Sequence, residues 1–209
     1  MSNEAVERAH RLELDARVEA AIASGDLAEA CAVVVRGFGP EICGFIAAFT
    51  RAEDLTQDAY SRFCEDVWRG LPAFQWKSSL RSWLYALARN ACFRVRRDKK
   101  RSRLSLTEAP LAALEAQVRT QTAEHFRTEV KDAFRSLREE LSEEEQEVLI
   151  LRVDRGMSWR EIAEVRLDAV STNEAELKRE AASCRKRFER ARDRIKELAA
   201  GRGLLTPKE

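Results

Sequence analysis

The stretch "LSEEEQEVLILRVDRGMSWREIAEV", Leu141–Val165, carries two helix starts with a helix stop between them. Ser142 followed by Glu145 is a capping box: the Ser hydroxyl accepts from the backbone N–H three residues on, and the Glu carboxylate reaches back to the N–H of the Ser. Ser158 with Glu161 repeats the device, and Gly156 suits the left-handed residue that ends the first helix. Two short helices joined at a glycine turn predict the opening of a helix-turn-helix, and the basic run "CRKRFERARDRI" from Cys184 has the composition of the helix that follows. A turn of about three or four residues usually joins such helices. Here "RLDAVSTNEAELKREAAS" lies between them.

The periodicity of that insert assigns it to the basic helix. Leu177, Ala181, Cys184, Phe188, Ala191, Ile195 and Leu198 alternate steps of four and three, which puts all seven on one stripe. The spacing predicts a single helix from about Asn173 to Ala200, capped by Ser171 with Glu174 or Asn173 with Glu176, with "RLDAVST" left as a loop. Its acidic first turns, Glu174, Glu176 and Glu180, should project away from phosphates that repel them. The same stripe could build a coiled-coil dimer, but three heptads interrupted by Ala and Cys favour packing within the domain.

Upstream, Phe126, Val130, Phe134 and Leu137 predict a helix near Phe126–Glu140. From Asp98 to about Glu124, Ser102, Ser105, Thr107 and Pro110 break the periodicity and mark a linker. Before it, Leu80, Leu84, Leu87, Ala91 and Val95 form the apolar stripe of a helix from Ser78 or Ser79 to about Arg97. Arg89 and Arg96 lie opposite that stripe, flanked by Tyr85 and Phe93, an arrangement that can stack bases and hold phosphates; alternatively the two aromatics cover a neighbouring helix. The loop "GLPAFQWK" precedes this helix. Leu55, Ala59, Phe63 and Val67 recur every four residues in a helix over about Arg51–Arg69, which Gly70 and Pro72 terminate. The first fifty residues read as three helices: about Glu4–Ser24, stopped by Gly25; Asp26–Arg36; and Pro40–Phe49, with Pro40 in a first turn. The fold class is therefore all-α: two small helical domains and a linker, the second domain a helix-turn-helix with a lengthened recognition helix. The divisions fall at 1–25 (N-terminal extension), 26–98 (first domain), 99–124 (linker), 125–201 (second domain) and 202–209 (tail).

Charge is informative in its distribution, since the 37 Lys and Arg nearly balance the 36 Asp and Glu over 209 residues. Arg89–Arg103 holds eight basic residues and one acid, Asp98; Arg185–Arg202 holds eight against three; Glu139–Glu147 is acidic. Two separated basic patches suggest two contacts with one polyanion, although a solvated helix face gives the same pattern. The charged N-terminus is no signal peptide, and no apolar run predicts a membrane span, so a cytoplasmic protein without membrane insertion is expected. Five cysteines without a C-x-x-C pair, and His10 and His125 alone to assist them, predict no metal site and no cofactor. No nucleophile motif or phosphate-cradling glycine loop predicts an enzyme.

Three ordered blocks together resemble a bacterial RNA polymerase sigma factor of the extracytoplasmic-function (ECF) type. "AEDLTQDAYSRFCEDVW" (Ala52–Trp68) is similar to that family's core-polymerase-binding segment, "SSLRSWLYALARNACFRVRRDKKR" (Ser78–Arg101) to its promoter-melting helix, and Leu141–Val165 with "CRKRFERAR" to its C-terminal DNA-binding domain. The chain departs from the pattern at Arg94, where the family commonly has Asp, and by about eleven extra residues before Cys184. The resemblance implies a non-enzymatic subunit that binds the clamp and flap regions of core polymerase, reads the −35 element with the second domain and melts the −10 element with the first. It assigns Asp54, Gln57 and Asp58 to core binding; Trp76, Trp83, Arg89, Asn90, Phe93, Arg96 and Arg97 to the −10 element; and Ser158, Arg160, Arg185, Lys186, Arg187 and Arg190 to the −35 element. Trp83 is near enough to the apolar stripe to be a core residue instead. Family analogy adds an anti-sigma factor as a partner, because the extension before Asp26 has no acidic tract able to cover the DNA surfaces by charge mimicry. A sigma-mimicking decoy for an anti-sigma factor and an ordinary helix-turn-helix regulator are the alternatives.

Overall fold

The computed structural model describes residues 3–105, 136–168 and 173–204, and every regular element among them is helical. The elements are α1 (Asn3–Ala23), α2 (Leu27–Thr50), α3 (Glu53–Gly70), a 3-10 turn (Leu71–Ala73), α4 (Leu80–Ser105), α5 (Glu143–Leu149) continued by a π turn (Ile150–Asp154), α6 (Trp159–Arg166) and α7 (Glu174–Gly201).

The two helices expected over 26–49 are one. Asp26 caps α2, accepting from the Glu29 N–H at 2.9 Å, and the helix runs through Pro40 to Thr50, where Arg51 closes it at φ 59°. A proline inside a helix costs about 3 kcal/mol through a lost hydrogen bond and a clash with the preceding turn. That cost is exceeded because α2 is the central helix: Val33, Val34, Phe38, Ile42, Phe45, Ile46 and Phe49 are all buried, each large side chain contributing roughly 1.5–3 kcal/mol. Gly37 and Gly39 let neighbours approach; a Cβ on Gly37 would stand 2.7 Å from Leu14 of α1, and one on Gly39 would stand 2.8 Å from the Tyr60 hydroxyl of α3. Among the described residues α2 is also the one helix long and apolar enough to cross a membrane, but its apolar residues form the core.

α3 and α4 pack on α2 through the stripes read from sequence, with Ala59, Phe63 and Val67 buried on one and Leu80, Leu84, Ala91 and Val95 on the other. Helix α4 extends past Arg97 to Ser105, so the first part of the expected linker is helical. Its added turns are tied to α3 by Arg62–Asp98 (2.7 Å) and Lys99–Asp54 (2.8 Å). The rest of the linker, and most of the helix expected near Phe126–Glu140, lie outside the described residues.

In the second unit both capping boxes form, and Gly156 takes φ 64°. The long α7 is present as expected: the Asn173 side chain accepts from the N–H groups of Ala175 and Glu176, and the helix runs unbroken to Gly201. Leu177, Cys184 and Ala191 are buried on it, with Phe188 and Ile195 partly so. The two units do not stand apart. Val148, Ile150, Leu151, Met157, Ile162, Val165 and Cys184 of the second join the same continuous apolar core as Phe45, Phe49 and Tyr85 of the first.

Candidate nucleic-acid interface

Helix α4 should present a basic face to solvent if amphipathic periodicity alone set its surroundings. Instead, Leu80 to Ala86 are all buried, because α2 and α3 cover one side and the second unit covers the other. Tyr85, expected on the outer flank, is fully buried with its ring edge against Phe45 at 5.2 Å and the Arg81 guanidinium 5.2 Å from its centroid. Burial pushes its phenol above the ordinary range. Thus the bland reading of Tyr85, cover for a neighbouring helix, is the one the structure realises.

The residues assigned to the −10 element divide into engaged and open groups. Arg89 donates from Nε to Glu147 Oε1 at 2.7 Å and lies 4.7 Å over the Phe93 ring, which meets Phe49 edge-on at 5.3 Å. Arg96 donates to the Phe49 carbonyl, covers the Phe49 ring at 4.4 Å and pairs with Glu143 at 3.1 Å. Asn90 donates from Nδ2 to Asp168 at 2.8 Å. Glu143, Glu147 and Asp168 all belong to the second unit. Arg97 and Lys100 remain exposed, on the rim of a 690 Å³ trough floored by Phe93 and Arg96. Arg94, the departure noted above, pairs with Asp66 of α3 and so braces the helix.

Before α4, Ser79 supplies the cap, its Oγ accepting from the Ser82 N–H at 3.0 Å. The loop leading to it is built on aromatics, with Phe74 5.0 Å from Trp76 and 4.9 Å from Trp83. Trp83 is 7% exposed and fills the space over Gly70, so it is a core residue in this state. Trp76 is half-buried at φ 55°, a backbone region that non-glycine residues adopt only under constraint. Phe74, Trp83 and Leu87 line a 250 Å³ cavity beside the loop.

On α3, Asp54, Gln57 and Asp58 are exposed together at the N-terminal end. The hydrogen bond from Lys99 holds the Asp54 carboxyl below the usual carboxylate range. Gln57 also borders a 580 Å³ groove between the units, whose far wall is Arg138, Gln146 and Ile150.

On the second unit, Arg185, Lys186 and Arg190 are exposed on one side of α7, with Arg185 5.8 Å from the Trp159 ring. Arg187 is on a different side: it pairs with Glu144 at 2.8 Å and Glu180 at 3.4 Å, and donates to Ser183 at 2.7 Å. Ser158 uses its hydroxyl to cap α6, and Arg160 pairs with Glu164 at 3.3 Å and with Glu174 at 2.9 Å. The added turns of α7 thus use two of their carboxylates within the unit, Glu174 on Arg160 and Glu180 on Arg166 at 2.7 Å.

Sequence reasoning missed the residue at the centre of this arrangement. Glu147 is 0% exposed and sits between the units, accepting from Arg89 at 2.7 Å and from Arg166 at 2.7 Å. Arg81, 7% exposed, makes a second junction, chelating Glu41 at 3.1 Å and donating to the Arg155 carbonyl at 3.1 Å. The acidic run Glu139–Glu147 was visible in the sequence, but nothing local indicated which basic helix would meet it.

Residues 34–102, the segment from α2 to α4, match the family described as Sigma-70 region 2. No curated protein matches the chain in sequence. In fold the chain is similar to the sigma factor RpoE from Bartonella quintana, solved with the anti-sigma factor NepR, at 20% identity and TM-score 0.57, covering 77% of this chain and 91% of that one. It is also similar to CnrH, solved with the cytosolic domain of CnrY, at 21% identity and TM-score 0.60, covering 90% of this chain and 98% of the other.

Proposed function

We propose that this chain is an ECF-type sigma factor, a reading supported by its region 2 match and its shared fold, and that it brings RNA polymerase core to promoters whose −35 element its second unit reads and whose −10 element its first unit melts. The observation that carries the reading is coincidence in one segment: the region 2 match spans both the exposed Asp54, Gln57 and Asp58 cluster and the arginines of α4. Carboxylates and an amide on one helix face suit a basic polymerase surface. The trough over Phe93, rimmed by Arg97 and Lys100 and bounded by Glu143 of the second unit, suits a single strand once that carboxylate withdraws, since phosphates need the cations and bases a stacking face. Unstacking a base costs a few kcal/mol, and the cavity at Phe74 and Trp83, with Trp76 at its loop, offers apolar contact to offset it. On the second unit Arg185, Lys186 and Arg190 are the side chains free to enter a major groove midway along α7. Ser158 and Arg160 lie near the phosphates in this reading, and Arg187 reaches DNA only after leaving Glu144.

An anti-sigma factor is the expected protein partner, since RpoE was solved with one. The test of the function is run-off transcription from chromosomal DNA by core polymerase with and without the purified chain. Chain-dependent, promoter-specific transcripts are expected; a chain that co-purifies with no core and yields no transcript would leave the decoy reading in its place.

A further inference from the structure

A 380 Å³ cavity lies where α1, α2, the first turn of α4 and the end of the π turn meet. Neither the polymerase face nor either basic DNA face uses it. The charged groups on its wall are His10 and Arg11 from α1, Arg81 from α4 and Arg155, against Glu41 and Asp154; the rest of the wall, around Phe38 and Pro40, is apolar. Both acids are already engaged, Glu41 with Arg81 at 3.1 Å and Asp154 with Arg138 at 2.9 Å. Positive charge is left over at Arg11 and Arg155.

Arg155 is the informative residue. Its backbone is fixed on both sides, the N–H donating to the Ile150 carbonyl at 3.1 Å and the carbonyl accepting from Arg81 at 3.1 Å. Its guanidinium lies against α2, where a Cβ on Gly44 would stand 2.8 Å from a terminal nitrogen. Yet its Nε is buried without a hydrogen-bond partner, and among the described residues no carboxylate pairs with the group. Tyr85, fully buried and packed against Arg81, likewise has a hydroxyl without a partner. Arg11 makes no ion pair among the described residues, and Asp15, one turn on, attracts it without a hydrogen bond. Two guanidiniums lining one concave space repel each other, and a buried N–H without an acceptor is costly; an anion between them removes both penalties.

We propose that the cavity binds a small organic phosphate: Arg11 and Arg155 hold the phosphoryl oxygens, His10 adds a donor at the rim, and the apolar wall takes the organic part. Guanidinium forks match phosphate oxygens in pairs. The volume of 380 Å³ exceeds what one phosphate needs and falls at the small end of the range of about 300–1,000 Å³ for ligand sites. The site gives the N-terminal extension, which lies outside the region 2 match, a task of its own. It stands independently of the polymerase and promoter roles.

The test is calorimetric titration of the full chain with ribose 5-phosphate and with inorganic phosphate, paired with thermal unfolding in each. Ribose 5-phosphate is expected to bind with a Kd of about 1 mM or tighter and, at about ten times that Kd, to raise Tm by about 3–6 °C. Arg11→Gln and Arg155→Gln should each weaken binding about tenfold or more. Arg179→Gln, at an exposed position on α7 and with the same loss of charge, should leave it unchanged. The unliganded Arg155→Gln chain should melt close to the parent, since its guanidinium has no partner to lose; if it does not fold, Arg11→Gln at a half-buried position of α1 carries the test alone. Binding that survives both substitutions puts the anion on the basic DNA faces and overturns the proposal. An absence of heat and of any Tm shift with ribose 5-phosphate at about 10 mM overturns it as well. Inorganic phosphate binding as tightly as the sugar phosphate would remove the organic part of the ligand, and with it the assignment.

Discussion

Replacing Glu147 with Ala removes a carboxylate that two guanidiniums share in a place where water does not reach. The side chain is 0% exposed, and the side chains of its partners Arg89 and Arg166 are 18% and 8% exposed. Removing one member of a buried ion pair costs about 3–5 kcal/mol, because the partner charge stays desolvated without compensation. The structure places this site at the lower end of that range. Arg166 keeps Glu180 at 2.7 Å, and Arg89 keeps the Phe93 ring at 4.7 Å and the Asn90 amide oxygen at 3.4 Å. A loss of about 3 kcal/mol corresponds to a fall in Tm of about 6–12 °C for a domain of this size. Thermal unfolding followed by circular dichroism measures it, and the cycle with Arg89→Ala and the double variant isolates the contact between units, with a coupling of about 1.5 kcal/mol or more expected. A Tm within about 2 °C of the parent, or strictly additive single effects, would refute the assignment of Glu147 as the buried link between the two units.

Asp54→Arg or Gln57→Ala should weaken co-purification with core polymerase and leave the melting curve close to that of the parent, since both side chains are exposed; unchanged retention of core by Asp54→Arg would remove that face from the polymerase contact. Asn173→Ala deletes a cap that accepts from two N–H groups and should cost about 1 kcal/mol locally, raising amide exchange in Glu174–Glu180 before the rest of α7; uniform protection along α7 in the variant would contradict it. Burial pushes the Cys92 and Cys184 thiols up to about 12, which keeps them protonated at pH 8, whereas Cys43 is exposed. Iodoacetamide on the folded chain at that pH should modify Cys43 and reach Cys92 and Cys184 only after unfolding, as peptide mass mapping would show; rapid alkylation of Cys184 in the native protein would mean that α7 is not packed as described.

What could be read from the residues alone was local. A capping box needs only residues three apart, so Ser142–Glu145 and Ser158–Glu161 were legible, as was the stop at Gly156. The α7 stripe was legible for the same reason: the helical period fixes which side chains share a face, and the insert continued that period without a break. Local rules also misplaced the boundary at Pro40, where a helix-starting residue was read as a start although the apolar stripe on both sides of it supplied more burial than the proline costs. The candidate site depended on packing between distant segments. Arg89 and Arg96 were identified as an arginine face, but Arg89 meets Glu147 across 58 positions of sequence, and no periodicity in either segment encodes that encounter. Arg187 sits in a basic run whose composition is uniform, yet its angular position on α7 turns it toward Glu144 and Glu180 while Arg185, Lys186 and Arg190 face outward. Composition shows that a chain carries opposite charges; only the tertiary structure brings particular ones within hydrogen-bonding distance and excludes water around them, and that packing determines which arginines are engaged and which stay exposed.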